Sequence, residues 1–262
     1  MVAVSIVIIT RDQSEILVEC LDKAKLITDD IVIIDNGNTN NQYYTKGCRV
    51  FKKSWDGYGA NKNKGVLAAK YDWILSIDAD EVPDDALIKT LHSLNYTNLA
   101  VVYDIKFRTY FGDKMIRFGS WGKDHHIRLF NRNIVRWLDT TVHETLVIPP
   151  NVQVEKIEGY LHHYSVKNAV EYDVKNSLYA KLSAVKYFNS GKKPGFVKLY
   201  ISPGFGFLKN YVLHLGFLDG REGWQIAKIT LKNTRRKYRL LSQMQGIKPK
   251  KQVYKDSFAI EY

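Results

Sequence analysis

Residues 72–84 read Asp72-Trp-Ile-Leu-Ser-Ile-Asp78-Ala-Asp80-Glu-Val-Pro-Asp84, an apolar run that ends in three carboxylates. The run has the length of a buried strand, and the proline after it is typical of the approach to a helix. Side chains two apart on a strand point the same way, so we expect Asp78 and Asp80 to face one cleft. Close carboxylates repel each other unless a cation lies between them, and a divalent metal held by oxygen ligands is the usual one. A solvated acidic turn is the alternative.

The first seventy residues predict a parallel α/β sheet. Residues 2–9 and the run Ile31–Ile34 after Asp30 are rich in apolar, β-branched side chains, as in buried strands, and a weaker strand is predicted at 49–52. Asp12 and Glu15 have the spacing of a capping box, followed by apolar residues at helical intervals. Alternation of strands and helices is typical of a sheet with helices on its faces.

Three polar side chains stand where predicted strands end. Thr10, Asp35 and Asp78 each follow an apolar run. In parallel α/β sheets, ligands bind beyond the carboxyl ends of the strands. We therefore expect these residues to line one cleft.

The positive charge is concentrated at one end of the chain. The 262 residues have a formal net charge of +12, and residues 192–262 alone hold fifteen Lys or Arg against four Asp or Glu. A basic nucleic-acid-binding protein is one interpretation. The predicted cleft is lined by carboxylates, however, which would repel a phosphate backbone.

The basic region contains an amphipathic helix pattern. Its apolar face is predicted to hold Trp224, Ala227, Leu231, Thr234, Tyr238 and Leu241, and the opposite face Lys228, Lys232, Arg235 and Arg239. Such a helix either packs on a core as an ordinary surface helix or binds an anionic membrane surface. Both interpretations stay open at this point.

The remaining composition indicates a cytoplasmic protein. Cys20 and Cys48 are the two cysteines, too few for a disulfide framework. We see neither an apolar stretch of membrane-spanning length nor a signal-peptide pattern. The adjacent pairs His125-His126 and His162-His163 are poor chelators, because neighbouring strand residues point to opposite faces.

Several motifs occur in the order seen in family 2 glycosyltransferases, which the chain resembles over nearly its whole length. They are Ser5-Ile-Val-Ile-Ile-Thr10, Asp35-Asn-Gly-Asn-Thr39, Lys62-Asn-Lys-Gly65 and Asp78-Ala-Asp80-Glu81. Others resemble the branch that adds glucose to heptose in the lipopolysaccharide inner core, namely Trp55-Asp-Gly-Tyr-Gly-Ala-Asn-Lys-Asn63, Arg128-Leu-Phe-Asn131, Val142-His-Glu144, His163-Tyr-Ser165 and Gly216-Phe-Leu-Asp-Gly220. The chain departs from the family in having Arg11-Asp12 for Asn-Glu and Asn38-Thr-Asn40 for Ser-Thr-Asp.

The resemblance implies an inverting enzyme with the GT-A fold, a mostly parallel sheet flanked by helices. Residues 1–190 would form the catalytic domain, with a nucleotide-sugar half at 1–95 and an acceptor half at 96–190. Residues 191–262 would form a basic, mostly helical extension.

The resemblance also implies how the donor is bound. Asp35 would accept from the nucleotide base and Asp78 from the ribose, with Thr10 in the same cleft. Lys62, at the start of a helix, would face the nucleotide or diphosphate. Asp80, joined by His163, would hold Mn²⁺ or Mg²⁺.

Glu144 is the expected general base, with Asp139 and Asp124 as the alternatives. The implied reaction moves glucose from UDP-glucose to a lipid-linked or core oligosaccharide at the inner leaflet of the cytoplasmic membrane. A nucleotidyltransferase is the alternative enzyme class, but such enzymes usually have a glycine-rich loop after the first strand, and residues 10–14 contain no glycine.

Overall fold

The computed structural model describes residues 2–11, 14–37, 46–138 and 145–246. The strands in this part of the chain are β1 (Val4–Thr10), β2 (Ile31–Asp35), β3 (Arg49–Lys52), β4 (Trp73–Asp78), β5 (Glu81–Pro83), β6 (Val101–Phe111), β7 (Lys114–Met115), β8 (His125–Asn131), β9 (Arg136–Trp137), β10 (Leu146–Val147) and β11 (Gln153–Val166). The α-helices are α1 (Glu15–Lys25), α2 (Tyr58–Ala68), α3 (Asp85–Ser93), α4 (Ala169–Asn189), α5 (Ser202–Leu208) and α6 (Gly220–Met244).

Nine of these strands form one sheet in the order β3-β2-β1-β4-β8-β6-β11-β5, with β7 paired to β6. Strands β3, β2, β1 and β4 are neighbours in that order and run parallel to one another. β8 is antiparallel to β4 and β6, and β11 is parallel to β6. Six strands therefore run in one direction, and β5, β7 and β8 oppose them. The predicted mostly parallel α/β sheet flanked by helices is confirmed.

The central strand β1 is buried along its whole length, which explains its unbroken apolar sequence. Its side chains alternate between two cores. Ile6 and Ile8 pack with α1 and α3, whereas Val7 and Ile9 pack with α2 and Trp137. The sheet around β1 is thus packed on both faces, which leaves the carboxyl ends of its parallel strands to bind a ligand.

The predicted capping box at Asp12 is wrong. Helix α1 begins at Glu15, and its N-cap is Ser14, whose side chain accepts a hydrogen bond of 3.1 Å from Leu17 N. The extended backbone of Ser14 lets its hydroxyl group reach the first free amides of the helix. Asp12 lies outside the described residues.

The C-terminal region forms a layer of helices beside the sheet. α4 and α6 pack side by side, with Lys232 Nζ 2.6 Å from an Asp173 oxygen and Tyr172 Oη 3.1 Å from Thr230 Oγ1. Asp219, just before α6, is buried and accepts from the backbone amides of Arg117 and Phe118. This carboxylate joins the helical layer to the segment between β7 and β8.

The amphipathic pattern of α6 is confirmed only in part. Ala227, Tyr238 and Leu241 are buried as predicted, but Trp224 is 45% exposed. Asn233 is buried instead, because its amide donates to the Asp173 carboxylate across the α4 contact at 2.9 Å. In the described part of the chain, every helix is too short or too polar to cross a membrane.

Helix α2 approaches the sheet closely at Gly65. A Cβ atom at this position would lie 2.3 Å from Val7 Cγ1 of β1. Such a distance requires the helix or the strand to move. A glycine here therefore sets the distance between the sheet and α2, the helix that carries Lys62.

We expect Gly65→Ala to lower the free energy of unfolding by about 1–3 kcal/mol, the usual effect of an overpacked core. Gly204→Ala is the matched control, since nothing lies within 4 Å of a Cβ built at this helical glycine. There we expect unchanged or slightly higher stability, because alanine favours the helix. Urea unfolding followed by circular dichroism measures both. Equal effects of the two substitutions would contradict the close approach at Gly65.

Candidate functional site

The carboxyl ends of three adjacent parallel strands meet at one edge of the sheet. Thr10 of β1 is in register with Asp35 of β2, and Ile9 of β1 is in register with Asp78 of β4. The structure therefore brings Thr10, Asp35 and Asp78 together, as the sequence predicted. Their roles in binding a donor stay a prediction.

Asp35 is almost completely buried, at 1% exposure, and shapes the loop that follows β2. Its Oδ1 accepts a hydrogen bond of 2.8 Å from Gly37 N. Gly37 has no room for a side chain, because a Cβ would lie 1.8 Å from the carbonyl oxygen of Arg11. The loops after β1 and β2 are therefore in contact at this edge.

Asp78 lies between two cations. Lys62 Nζ is 3.0 Å from one carboxylate oxygen, and Arg128 Nη2 is 3.2 Å from the other. Lys62 is fully buried in the second turn of α2 and lies over the Trp137 ring, with Nζ 4.7 Å from the ring centroid. The prediction that Lys62 lies at the start of a helix is wrong, because α2 begins four residues earlier, at Tyr58.

The charges around Asp78 determine its protonation. Burial by itself raises the pKa of this carboxyl group, but Lys62 and Arg128 outweigh that effect and hold the pKa well below its usual value. Asp78 is therefore an ionised acceptor at neutral pH. Its two cationic partners also fix its position.

Arg128 and Glu81 form a second, deeper ion pair that the sequence analysis did not predict. Arg128 Nη2 donates to Glu81 Oε1, and Asp78 N donates to Glu81 Oε2 at 3.0 Å. Glu81 is 1% exposed, and burial raises its pKa although Arg128 opposes the shift. The available signal was an arginine between the apolar residues Ile127 and Leu129, because a buried cation needs an anionic partner.

Asp80 does not belong to the strand that was predicted to orient it. β4 ends at Asp78, Ala79 and Asp80 form a turn, and β5 begins at Glu81. Strand periodicity therefore does not orient Asp80, and the expectation that it points with Asp78 for this reason is wrong. Its backbone oxygen accepts from Tyr164 N at 3.0 Å, which holds the turn against β11.

The Asp80 side chain lies beside that of His163, and their joint role as metal ligands stays a prediction. His163 Nε2 on β11 is 3.5 Å from Asp80 Oδ2. Burial lowers the pKa of the imidazole, but the neighbouring Asp80 carboxylate outweighs it, so the net shift is upward. In the described ranges, no three His, Cys, Asp or Glu side chains are grouped to hold a metal ion, so Asp80 and His163 would need ligand atoms from elsewhere.

The other three histidines of the two adjacent pairs have separate partners. His125 Nδ1 is 2.6 Å from Asp104 Oδ2, and His126 Nε2 is 3.0 Å from Asp124 Oδ1. His162 Nδ1 is 2.9 Å from the Tyr110 hydroxyl group. Neither adjacent pair converges on one point, in agreement with their expected opposite orientations.

A cavity of about 690 Å³ opens beside this edge of the sheet. Its lining includes the aromatic side chains of Tyr58, Trp137 and Tyr179, together with His125 and Arg128. Arg128 thus connects the cavity with Asp78. Thr145 also lines the cavity, whereas the predicted base Glu144 and its alternative Asp139 lie outside the described residues.

We expect Arg128→Met to lower the free energy of unfolding by about 3–5 kcal/mol, because it leaves the buried Glu81 carboxylate without its cation. Combining it with Glu81→Gln should recover part of this loss. Lys53→Met is the control, since its partner Asp56 is 43% exposed and such surface pairs contribute at most ~1 kcal/mol. Chemical unfolding of wild type, Arg128→Met, the double variant and Lys53→Met measures these free energies. A loss of stability in Arg128→Met no larger than that in Lys53→Met would refute the buried pair.

Comparison with known proteins identifies related chains. The family model "Glycosyl transferase family 2" matches residues 5–145, more than half of the chain. An uncharacterised glycosyltransferase of Rickettsia typhi is 27% identical over 236 residues, which cover 84% of this chain and 80% of that protein. The lipopolysaccharide core biosynthesis glycosyltransferase LpsC of Rhizobium meliloti is 28% identical over 244 residues, covering 85% of this chain and 88% of LpsC.

Among solved structures, TarS residues 1–349 of S. aureus align with a TM-score of 0.44 and 10% identity, covering 93% of this chain and 91% of that one. The family match includes the three strand ends and the acidic turn at Asp80. The chain belongs to glycosyl transferase family 2.

Proposed function

We propose that the protein is a metal-dependent inverting glycosyltransferase that transfers the hexose glucose from a UDP-sugar. The acceptor would be a saccharide of the lipopolysaccharide core or of a related cell-surface glycan. The observation that supports this proposal best is that Thr10, Asp35 and Asp78 lie together at one edge of the sheet, within the region that the family model matches. Family membership favours it over a nucleotidyltransferase or a nucleic-acid-binding protein.

The donor nucleotide would lie across the strand ends. An ionised Asp78, held by Lys62 and Arg128, is suited to accept hydrogen bonds from the ribose hydroxyl groups. Asp35 would accept from the base. Lys62 is fully buried and contacts Asp78 directly, so its positive charge would act on the nucleotide chiefly through Asp78.

Asp80 and His163 would hold the metal ion. The carboxylate and the imidazole are adjacent, and Asp80 is 35% exposed, so a ligand can reach it. Mg²⁺ and Mn²⁺ commonly take few protein ligands and complete their shells with substrate phosphates and water, which fits a two-residue site. When bound, the ion would neutralise charge developing on the departing diphosphate.

The acceptor saccharide would occupy the adjacent cavity. Tyr58, Trp137 and Tyr179 offer apolar ring surfaces, and the Asp104–His125 pair offers polar atoms to hydroxyl groups. The similarity to LpsC, over 88% of that protein, supports a lipopolysaccharide core acceptor. Such an acceptor is attached to lipid, so the enzyme would work at the inner leaflet of the cytoplasmic membrane.

Glu144 would take the proton of the attacking acceptor hydroxyl group. As the oxygen bonds to the anomeric carbon, the bond from that carbon to the diphosphate breaks, and the configuration inverts. Thr145, the next residue in the chain, lines the cavity and accepts from Leu138 N at 2.8 Å. Asp124, one alternative base, is already paired with His126.

The donor assignment is tested with a panel of sugar nucleotides in the presence of Mn²⁺. We expect UDP release and transfer to a core oligosaccharide, with UDP-glucose as the preferred donor. Release of pyrophosphate instead of a nucleoside diphosphate would overturn the reaction class.

We expect Asp80→Ala to abolish transfer and the Mn²⁺-dependent part of UDP binding while leaving the melting temperature close to wild type. The reason is that Asp80 lies in a partly exposed turn. Calorimetric titration with UDP, with and without Mn²⁺, measures the effect. Asp85→Ala, at an exposed carboxylate that pairs with Lys23, is the control. Wild-type turnover of Asp80→Ala in the presence of a chelator would exclude the metal role.

We expect Glu144→Gln to lower turnover roughly 10²–10⁴-fold, the usual contribution of a general base, with donor affinity near wild type. Glutamine keeps the size of the side chain but does not accept the proton. Steady-state kinetics and UDP binding separate the two effects. Asp139→Asn is measured in parallel, and an inactive Asp139→Asn beside a normal Glu144→Gln would assign the base to Asp139.

A further inference from the structure

A continuous helical segment connects α4 with α6 and leaves much of its apolar surface exposed. It consists of a π-helical turn at Val197–Ile201, helix α5 and a second π-helical turn at Lys209–Leu213. One side packs on α6, where Leu199 contacts the cluster of Ala184 and Tyr238. The neighbouring Phe207 ring lies 5.5 Å from that of Trp224.

The opposite side has no covering element among the described residues. At three-four spacing it presents Val197, Ile201, Phe205, Leu208 and Val212, each between 43% and 60% exposed. We call these five side chains the apolar face. Further exposed apolar side chains in and just before this segment, in the turn after it and at the start of α6 are Phe196, Tyr200, Leu213, Leu215, Phe217, Leu218 and Trp224. A surface of this kind is not the scattered apolar exposure of ordinary proteins and marks an interaction site.

The charge around the apolar face points to the partner. Residues 192–218 contain Lys192, Lys193, Lys198 and Lys209 and no Asp or Glu. A symmetric contact between two copies would bring these lysines together without a carboxylate from the same segment. An anionic bilayer instead offers hydrocarbon to the apolar face and phosphates to the lysines.

The shape of the segment indicates how it would lie. Residues 197–213 span at most about 25 Å, the length they would have at the α-helical rise of 1.5 Å per residue. One side is already packed on α6, so the segment is suited to lie flat in the headgroup region. Tyr200 is of a type enriched at that depth, and phenylalanine and leucine, as at Phe205 and Leu208, are typical of the apolar side of such helices. We propose that the apolar face docks the protein on an anionic lipid bilayer.

This assigns membrane contact to a different surface from the basic side of α6. Lys232 of α6 is 2.6 Å from Asp173, and Arg236 bonds Ser177, so two of its cations stabilise the contact with α4. The exposed Lys228 and Arg235 would contribute only long-range attraction. The docking surface is independent of the sugar chemistry, so its test does not depend on the donor or the acceptor.

The experiment is co-sedimentation of the full chain with vesicles of phosphatidylcholine, with or without phosphatidylglycerol. We expect binding to the anionic vesicles that weakens with salt. The triple variant Ile201→Ser/Phe205→Ser/Leu208→Ser should bind about a hundredfold more weakly, because three half-exposed apolar side chains no longer enter the bilayer. The control Leu26→Ser/Leu67→Ser/Leu99→Ser removes apolar side chains of 45–82% exposure from the sheet domain and should bind like wild type.

A second measurement uses the unmodified protein. The Trp224 ring contacts the rings of Phe207 and Tyr211 of this segment and is 45% exposed, so brominated phosphatidylglycerol vesicles should quench its fluorescence. Most of this quenching should be lost in Trp224→Phe. The measurement remains decisive if the triple variant folds poorly.

Three results would overturn the proposal. The first is that wild-type protein does not bind anionic vesicles. The second is that the triple variant binds them as well as wild type, while Lys228→Glu/Arg235→Glu does not bind. The third is a wild-type dimer that the triple variant converts to a monomer in sedimentation velocity, with no vesicle binding, which would assign the face to a second copy of the chain.

Discussion

The pairing of Asp78 with Lys62 and Arg128 is the interaction on which the rest of the site depends. It joins α2, the end of β4 and β8, and Arg128 extends it to the buried Glu81 at the start of β5. Removing one member would leave a charge in a poorly solvated environment, which is costly. The cluster therefore holds one carboxylate ionised at the strand edge and also determines the relative positions of four elements.

The same cluster separates the two proposed binding regions. Asp35 and Asp78 lie on the strand edge, where a nucleotide would bind, whereas Arg128 and Trp137 extend to the cavity proposed for the acceptor. A donor and an acceptor would thus meet next to a fixed network of charges. Preorganised groups of this kind lower the cost of reorganisation during a reaction.

The helical layer gives the molecule a second functional surface. Asp219 ties the start of α6 to the backbone at Arg117 and Phe118, so the helices hold a defined position against the sheet domain. If the apolar face rests on a bilayer, that connection would fix the orientation of the cavity relative to the membrane. A lipid-attached acceptor would then be presented to the cavity in one geometry.

The sequence by itself determined the local features: the buried strands, the alternation with helices, and the polar residues at the strand ends, because each follows from neighbouring residues and periodicity. It also indicated the family through the order of its motifs. Only the tertiary structure decided that Asp80 faces His163 of β11 and that Arg128 pairs with Asp78 and Glu81. It likewise decided that the exposed apolar surface lies before α6, on the 197–213 segment. Such features depend on which distant segments meet, and no local pattern of side chains contains that information.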